Sequence, residues 1–295
     1  MSFYVDDEIA SQPDCWDRAL TLTPTVIDQL PRAGERVAFV GCGTSWFVAQ
    51  VLAHWRESQG FGESDAFTAS EFLDRPYDTV VALTRSGTTS EVVDLLTRLR
   101  GRIPTVAVLG AIDTPAAAVA DTFVDLSFAD EQSVVQTRFA TTTLTLFRSL
   151  LFGRDEVAPL VERARAAVSV ELPAGLAEAE QLTFLGQGWT VGLAHEAALK
   201  LRETSGSWAE SYPAMDYRHG PIAVAAPGRV VWMFGDAPAG LADQVRSTGA
   251  IFVDHDQDAV VDLIVAQRVA VARAARLGLN PDQPRHLSRS VVLSS

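Results

Sequence analysis

Short apolar runs rich in β-branched residues alternate with helix-length segments along most of the chain. Four runs lie in the first half and three in the second: RVAFVG (36–41), TVVALT (79–84), PTVAVL (104–109), TFVDL (122–126), LTFLG (182–186), RVVWMFG (229–235) and AIFVD (250–254). Near-continuous apolar strands separated by helices are typical of parallel sheets that are covered on both faces. The pattern therefore predicts an α/β fold, with each sheet between helices in a Rossmann-like or flavodoxin-like sandwich.

The two halves of the chain contain an internal repeat. FVGCGTSWFVA (39–49) aligns without gaps with FLGQGWTVGLA (184–194), at an offset of 145 residues. Both segments run from an apolar strand through a pair of glycines into a helix. Such self-similarity predicts two tandem copies of one fold. We expect a first domain over residues 1–160 and a second over residues 161–295.

Composition narrows the range of functions. A chain of 295 residues, with 47% hydrophobic and 21% charged residues, can bury two proper cores. A formal net charge of −13 disfavours a nucleic-acid surface, which needs clustered basic residues. No run is long and apolar enough to predict a membrane span, and the acidic start MSFYVDDEIASQPD does not resemble a signal peptide. We therefore expect a cytoplasmic protein that binds neither nucleic acid nor membrane.

Two loops that follow predicted strands carry hydroxyl groups. GCGTS places Thr44 and Ser45 at the start of a helix, where free backbone N–H groups favour an anion. One strand later, TRSGTTSE (84–91) has the same form and adds an arginine. Hydroxyl groups with one arginine suit a phosphate monoester, although the same residues also suit ordinary helix caps and turns. Neither loop matches a nucleotide-binding fingerprint.

A different group of residues lies in the second half, within HEAALKLRETSGSWAESYPAMDYRHGP (195–221). On a helix, Glu196, Lys200 and Glu203 share one face. A carboxylate beside a lysine can take a proton from carbon, and His219 can exchange a proton with a sugar ring oxygen near neutral pH. The alternative is a solvated, salt-bridged helix face and a loop histidine.

In order along the chain, these motifs resemble the isomerase portion of the glucosamine-6-phosphate synthase family, which is built from sugar isomerase (SIS) domains. The resemblance rests on EIASQP, GCGTS, TRSGTT, EAALKLRE, HGP and DQPRHLSRS and covers nearly the whole chain. It implies two tandem SIS domains and a hexose or amino-hexose 6-phosphate as substrate. It also implies C1/C2 proton transfer without a metal or other cofactor.

The resemblance also implies roles for residues of the first half. Thr84, Arg85, Ser86 and Thr89 match the phosphate clamp, and Thr44 and Ser45 match positions near the phosphate or hydroxyl groups of the sugar. The segment EQSVVQTRFATT (131–142) resembles an active-site stretch of the family. Gln136 stands there where the family has serine, which leaves that contact open.

For the second half, the resemblance implies that Glu203 is the base, with Lys200 beside it, and that His219 opens the sugar ring. In the family this histidine reaches into the site of a neighbouring subunit. A homodimer with shared active sites is therefore implied.

The sequence departs from the family pattern in two places. It begins Met1-Ser2, without the cysteine nucleophile of a glutaminase domain, so glutamine-dependent synthesis is not expected. Arg289 replaces the lysine that forms a Schiff base with the ketose, and we expect it to bind sugar oxygens or phosphate instead. The remaining groups suit an amino-sugar-phosphate deaminase, a fructosamine-phosphate deglycase or a simple isomerase. The alternative is a non-catalytic phosphosugar sensor, which Arg289 and Gln136 favour.

Overall fold

The computed structural model describes residues 3–293, which form two parallel β-sheets. The first sheet has the strand order β2-β1-β3-β4-β5 and the second has the order β7-β6-β8-β9. The strands are β1 (Val37–Gly41), β2 (Ser64–Thr68), β3 (Thr79–Thr84), β4 (Thr105–Leu109), β5 (Thr122–Asp125), β6 (Gln181–Gly186), β7 (Ala209–Pro213), β8 (Arg229–Met233) and β9 (Ile251–Asp254). The predicted α/β class with parallel sheets is confirmed.

Within residues 3–293, ten α-helices lie between and beside the strands. They are α1 (Tyr4–Ala10), α2 (Gln12–Val26), α3 (Thr44–Ser58), α4 (Ser90–Leu99), α5 (Pro115–Val119), α6 (Arg138–Phe152), α7 (Arg154–Ala167), α8 (Thr190–Ser205), α9 (Leu241–Ser247) and α10 (Ala259–Arg276). The predicted domain boundary at residue 160 falls inside α7. The division into two domains stays a prediction.

The two sheets share a central apolar core. Phe39 of β1 and Phe184 of β6 belong to one buried cluster, together with residues of α3 and α8. The alternate strand residues face outward into two separate clusters. Val40 packs in a cluster with residues of α4, and Leu185 packs in a cluster with residues of α9. Each sheet is therefore covered on both faces, as the continuous apolar runs predict.

The repeat has the same local geometry in both halves. Gly41 and Gly186 end the interior strands β1 and β6, and a Cβ on either would lie 2.6 Å or less from backbone atoms of the following helix. Gly43 and Gly188 have φ values of 57° and 58°, in the left-handed region that favours glycine. Only glycine therefore allows each helix to start so close to the end of its strand.

Helices α3 and α8, which follow these glycines, pack closely against each other. A Cβ on Gly192 of α8 would lie 2.7 Å from the carbonyl oxygen of Phe47 in α3, so the absent side chain permits the approach. These two positions are equivalent in the repeat, because they differ by 145 residues. The two helices therefore meet at corresponding points, which brings the start of α3 beside the middle of α8.

Among residues 3–293, no helix combines the length and the apolar character that crossing a bilayer requires.

Candidate phosphosugar site

The order of the first sheet predicts where a ligand would bind. In an open parallel sheet of order 2-1-3-4-5, the crevice lies at the carboxyl ends of the first and third strands, where the connections turn to opposite faces. Here those strands are β1 and β3, which are hydrogen-bonded neighbours. The loops that follow them are the two hydroxyl-rich loops of the sequence.

The loop after β1 leads into α3, which begins at Thr44. Thr44 and Ser45 are both buried, at 3% and 4% exposure. The hydroxyl of Thr44 accepts a hydrogen bond from Nζ of Lys200 at 2.9 Å. The first turn of α3 is therefore joined directly to helix α8 of the second half.

The loop after β3 forms a tight turn before α4. Gly87 has φ of 64°, and a Cβ there would overlap the side chain of Thr114. The hydroxyl of Thr84 accepts from the N–H of Gly87 at 3.2 Å, and that of Ser86 accepts from the N–H of Thr88 at 3.3 Å. Each hydroxyl still has a hydrogen to donate. Thr89 is the N-cap residue of α4.

On α8, the three charged residues of the predicted face form one cluster. Nζ of Lys200 lies 2.5 Å from Oε2 of Glu203 and 3.4 Å from Oε1 of Glu196. Lys200 and Glu196 are each 1% exposed, whereas the side chain of Glu203 is 19% exposed. Glu203 is therefore the carboxylate of the cluster that solvent, and so a ligand, can reach.

The surroundings set the charges of this cluster. Burial raises the pKa of Glu196 to about 7, although Lys200 acts in the opposite direction. Burial alone would lower the pKa of Lys200, but the carboxylates of Glu196 and Glu203 outweigh it, so its pKa is raised. Lys200 is thus a protonated ammonium that donates to Thr44 and Glu203.

The equivalent position on the other side of the α3–α8 pair is apolar. The repeat offset relates Thr44 to Trp189 and Lys200 to Trp55. The rings of Trp55 and Trp189 are in contact, with centroids 5.0 Å apart. The repeat-related pairs therefore differ in chemistry. Thr44 and Lys200 form a charged hydrogen bond, whereas Trp189 and Trp55 form an aromatic contact.

Arg85 has internal partners that the sequence did not predict. Its guanidinium is 1% exposed, donates to the carbonyls of Ser133 and Arg289 at 2.9 and 3.0 Å, and lies 3.8 Å from Glu131. A buried guanidinium needs such acceptors, because water cannot reach it. Arg85 thus ties the turn to residues 131–133 and to the C-terminal segment, residues 280–293. Contact with phosphate stays a prediction.

Arg289 also binds protein groups rather than standing free. Its guanidinium pairs with the carboxylate of Asp130 and donates to the carbonyl of Glu131. Both terminal nitrogens have protein acceptors, and contact of Arg289 with sugar oxygens or phosphate stays a prediction. Its side chain is 36% exposed. In this arrangement Arg289 holds the C-terminal segment against residues 130–131.

Beyond Arg289, the C-terminal segment runs along the turn after β3. The hydroxyls of Ser290 and Thr88 are 2.8 Å apart. The N–H of Ser90 donates to the carbonyl of Val291, and the hydroxyl of Ser90 accepts from the N–H of Leu293. The segment therefore lies over the start of α4.

The two remaining predicted residues are placed differently. Gln136 lies between Glu131 and the start of α6, half-buried, with its Oε1 buried and without a hydrogen-bond partner among the described residues. His219 ends a short 3-10 helix (Asp216–His219) and is exposed. No hydrogen bond within residues 3–293 joins His219 to Lys200 or Glu203. Within residues 3–293 of a single chain, hydrogen bonds therefore join Thr44, Lys200 and Glu203, and none joins His219 to Lys200 or Glu203.

Glu131 is a residue of this region to which the sequence analysis assigned no role. It is 1% exposed, and its Oε1 accepts from the N–H groups of Thr137 and Arg138 at 2.5 and 2.9 Å, at the start of α6. The signal for it was its place at the head of EQSVVQTRFATT, the stretch already aligned with the family.

An open cavity of about 570 Å³ adjoins Glu203. Its walls are the end of α8 from Arg202 to Ser205, the following Gly206, and residues 278–280 and 283–287. A volume of this size is within the range of small-molecule sites. Within residues 3–293, no group of three or more His, Cys, Asp or Glu side chains could hold a metal ion.

A domain-family model and curated proteins match the sequence of this chain. Residues 30–152 match the family model of the SIS domain. The chain is 27% identical over 318 aligned positions to glutamine–fructose-6-phosphate aminotransferase (isomerizing) from Gloeobacter violaceus. The alignment covers 88% of this chain and 52% of that protein. The chain thus spans about half the length of the curated relatives it matches.

Two solved structures share the fold over nearly the whole chain. Glucosamine-6-phosphate deaminase from Thermotoga maritima superposes with a TM-score of 0.85 at 22% identity, covering 98% of this chain and 100% of that one. Tagatose-6-phosphate ketose/aldose isomerase from Escherichia coli gives 0.80 at 17% identity, covering 100% and 97%. This chain therefore has the same fold as these two proteins.

Proposed function

We propose that this protein is a phosphosugar isomerase or deaminase that acts on a hexose or amino-hexose 6-phosphate. The proposal rests on two hydrogen bonds, which Nζ of Lys200 donates to Thr44 and to Glu203. Together they hold the solvent-accessible carboxylate of Glu203 beside the start of α3. The turn at Thr84–Thr89 follows the neighbouring strand β3. A sugar with its phosphate at that turn would present C1 and C2 to Glu203.

In the proposed mechanism, Glu203 removes the proton from C2 of an open-chain aldose and returns it to C1, through an enediol or enolamine. Lys200 orients Glu203 and balances the charge that develops. With a 2-amino sugar the first product is an imine, and water converts it into the ketose and ammonia. The chemistry needs a base and electrostatic stabilisation and involves no bond to the enzyme.

We propose that residues 161–295 form a second SIS domain, because its sheet β7-β6-β8-β9 repeats the order of β2-β1-β3-β4 and its glycines repeat those of the first. We further propose a homodimer in which His219 serves the site of the partner subunit. Its exposed position, apart from Glu203 in its own chain, supports that arrangement.

A panel of hexose, amino-hexose and fructosamine 6-phosphates tests the function. Ketose and ammonia would be measured for the wild-type protein and for Glu203→Gln. We expect at least one substrate to be converted by the wild type and a loss of nearly all turnover in Glu203→Gln, with binding retained. Asp243→Asn, an exposed carboxylate on α9, is the matched control.

The second candidate is a non-catalytic phosphosugar sensor. The contacts of Arg289 with Asp130 and Glu131 favour it, because the position of the family lysine is occupied by a group engaged in the protein. Tight binding of a sugar phosphate without any product would establish the sensor and overturn the enzyme.

A further inference from the structure

Glu8 of helix α1 is a buried carboxylate that the proposed mechanism does not use. It lies in EIASQP and is 3% exposed. Its Oε1 accepts from the N–H groups of Gln132 and Ser133, at 2.5 and 3.2 Å. Its Oε2 is also buried and has no hydrogen-bond partner among the described residues.

The residues that Glu8 holds connect onward to the turn after β3. The carbonyl of Ser133 accepts from Nη1 of Arg85, whose other terminal nitrogen donates to the carbonyl of Arg289. Arg85 itself stands between Thr84 and Ser86 in that turn. A continuous path of hydrogen bonds therefore runs from Glu8 through Ser133 and Arg85 to the turn and the C-terminal segment.

We propose that Glu8 is a positioning residue of the phosphosugar site, which fixes residues 131–137 and, through Arg85, the turn that binds phosphate. This inference rests on the proposed function. A buried carboxylate is costly unless it is hydrogen-bonded, and Glu8 meets that cost with two backbone N–H groups of the segment that it positions.

Two charged groups, Glu131 and Arg138, lie near Glu8. Burial raises its pKa to about 7, and the carboxylate of Glu131 adds to this, while Arg138 of α6 acts in the opposite direction. Glu8 is therefore half protonated near neutral pH. In either state its Oε1 can accept from the two N–H groups, so glutamine is the conservative replacement.

Glu8 is connected to binding rather than to proton transfer. Among residues 3–293, no hydrogen bond links Glu8 or its partners to the cluster of Thr44, Lys200 and Glu203. Loss of Glu8 should therefore raise KM for the sugar phosphate and leave kcat nearly unchanged. A general loss of folding would instead lower the active fraction and leave KM unchanged.

The test compares Glu8→Ala, Glu8→Gln and the matched control Asp7→Ala, an exposed carboxylate on the same helix. We expect Glu8→Ala to raise KM, or Kd where there is no turnover, by about tenfold, the effect of losing hydrogen bonds to a carboxylate. Glu8→Gln should remain within about threefold of the wild type, because it keeps the acceptor. Asp7→Ala should match the wild type.

Hydrogen exchange supplies a second, ligand-free measurement. In Glu8→Ala, amides of residues 131–137 and 289–293 should exchange faster, whereas those of β6 and α8 should not. Faster exchange with unchanged KM, or unchanged exchange in these segments, would overturn the proposal. If the wild type neither binds nor converts any sugar phosphate, the proposed function is wrong, and so is the role of Glu8 in binding. The exchange rates would still show whether Glu8 holds residues 131–137 in place.

Discussion

The ammonium group of Lys200, in the second half of the chain, lies 2.9 Å from the hydroxyl of Thr44, in the first half. This contact spans 156 positions of sequence and joins two helices that start from equivalent strands. It places the carboxylate of Glu203 next to the loop that follows β1. The proposed chemistry depends on that arrangement.

Replacing Lys200 by methionine should destabilise the protein by about 3–5 kcal/mol, because it leaves the buried carboxylate of Glu196 without its cation. Adding Glu196→Gln should restore a large part of the stability but none of the activity. Urea unfolding and the sugar-phosphate assay would measure the two effects. Arg276→Met, on the surface of α10, should change stability by less than about 0.5 kcal/mol. Equal losses in Lys200→Met and Arg276→Met would contradict the prediction.

The raised pKa of Glu196 predicts a specific dependence of stability on pH. Its pKa is about 7 in the folded protein and 4.5 in the reference state, so the folded state binds more protons between these values. The stabilisation is complete below pH 4.5 and is lost as the pH rises to 7. The free energy of unfolding of the wild type, minus that of Glu196→Gln, should fall over this range by about 3 kcal/mol at most. Parallel curves for the two proteins would show that Glu196 titrates normally.

Ser86→Ala should weaken binding of a hexose 6-phosphate by about tenfold, because it removes a hydroxyl that we propose donates to the phosphate. Binding of the same sugar without phosphate should not change. Calorimetry on both ligands measures the difference. Thr97→Ala is the control, since the Thr97 hydroxyl donates to a carbonyl of its own helix α4. An unchanged affinity in Ser86→Ala would place the phosphate elsewhere.

Borohydride should trap no covalent sugar adduct. Lys200 is the only lysine of the chain, and its raised pKa keeps it protonated and non-nucleophilic. Mass spectrometry after reduction in the presence of substrate tests this. An adduct on Lys200 would establish imine catalysis and refute proton transfer by Glu203 alone.

If His219 serves the partner's site, subunits carrying Glu203→Gln and subunits carrying His219→Asn should complement each other. Mixed dimers contain one site with both wild-type groups, so about half the activity per mixed dimer should return. Purified heterodimers with two different affinity tags allow the measurement. Inactive heterodimers would assign His219 to its own chain or to no catalytic role.

The sequence predicted much of the fold but missed two strands. Each of the seven apolar runs contains a strand. Five of these strands, β1, β3, β4, β6 and β8, lie inside a sheet, where burial on both faces requires a continuously apolar sequence. Strands β2 and β7, with the sequences SDAFT and AESYP, lie at sheet edges and are only partly buried. Edge strands tolerate polar residues, so an apolar run need not mark them, although the opposite edges β5 and β9 do lie in apolar runs.

The helix face of Glu196, Lys200 and Glu203 was predictable because it depends on local spacing alone. The partners of Arg85 and Arg289 were not. Arg85 bonds to the carbonyl of Arg289, 204 positions away, and the path of the C-terminal segment determines that contact. The pattern of residue types along the sequence does not show which backbone carbonyl of a distant segment will accept a hydrogen bond from Arg85.

The burial of Lys200 makes chemical labelling a measure of folding. Because Lys200 is 1% exposed and is the only lysine, an amine-acylating reagent can modify a side chain only when the structure opens around α8. The rate of acylation at Lys200 would report the opening of the Thr44–Lys200 contact in a complex mixture, without a spectroscopic probe. A bound sugar phosphate should slow that rate in proportion to its occupancy.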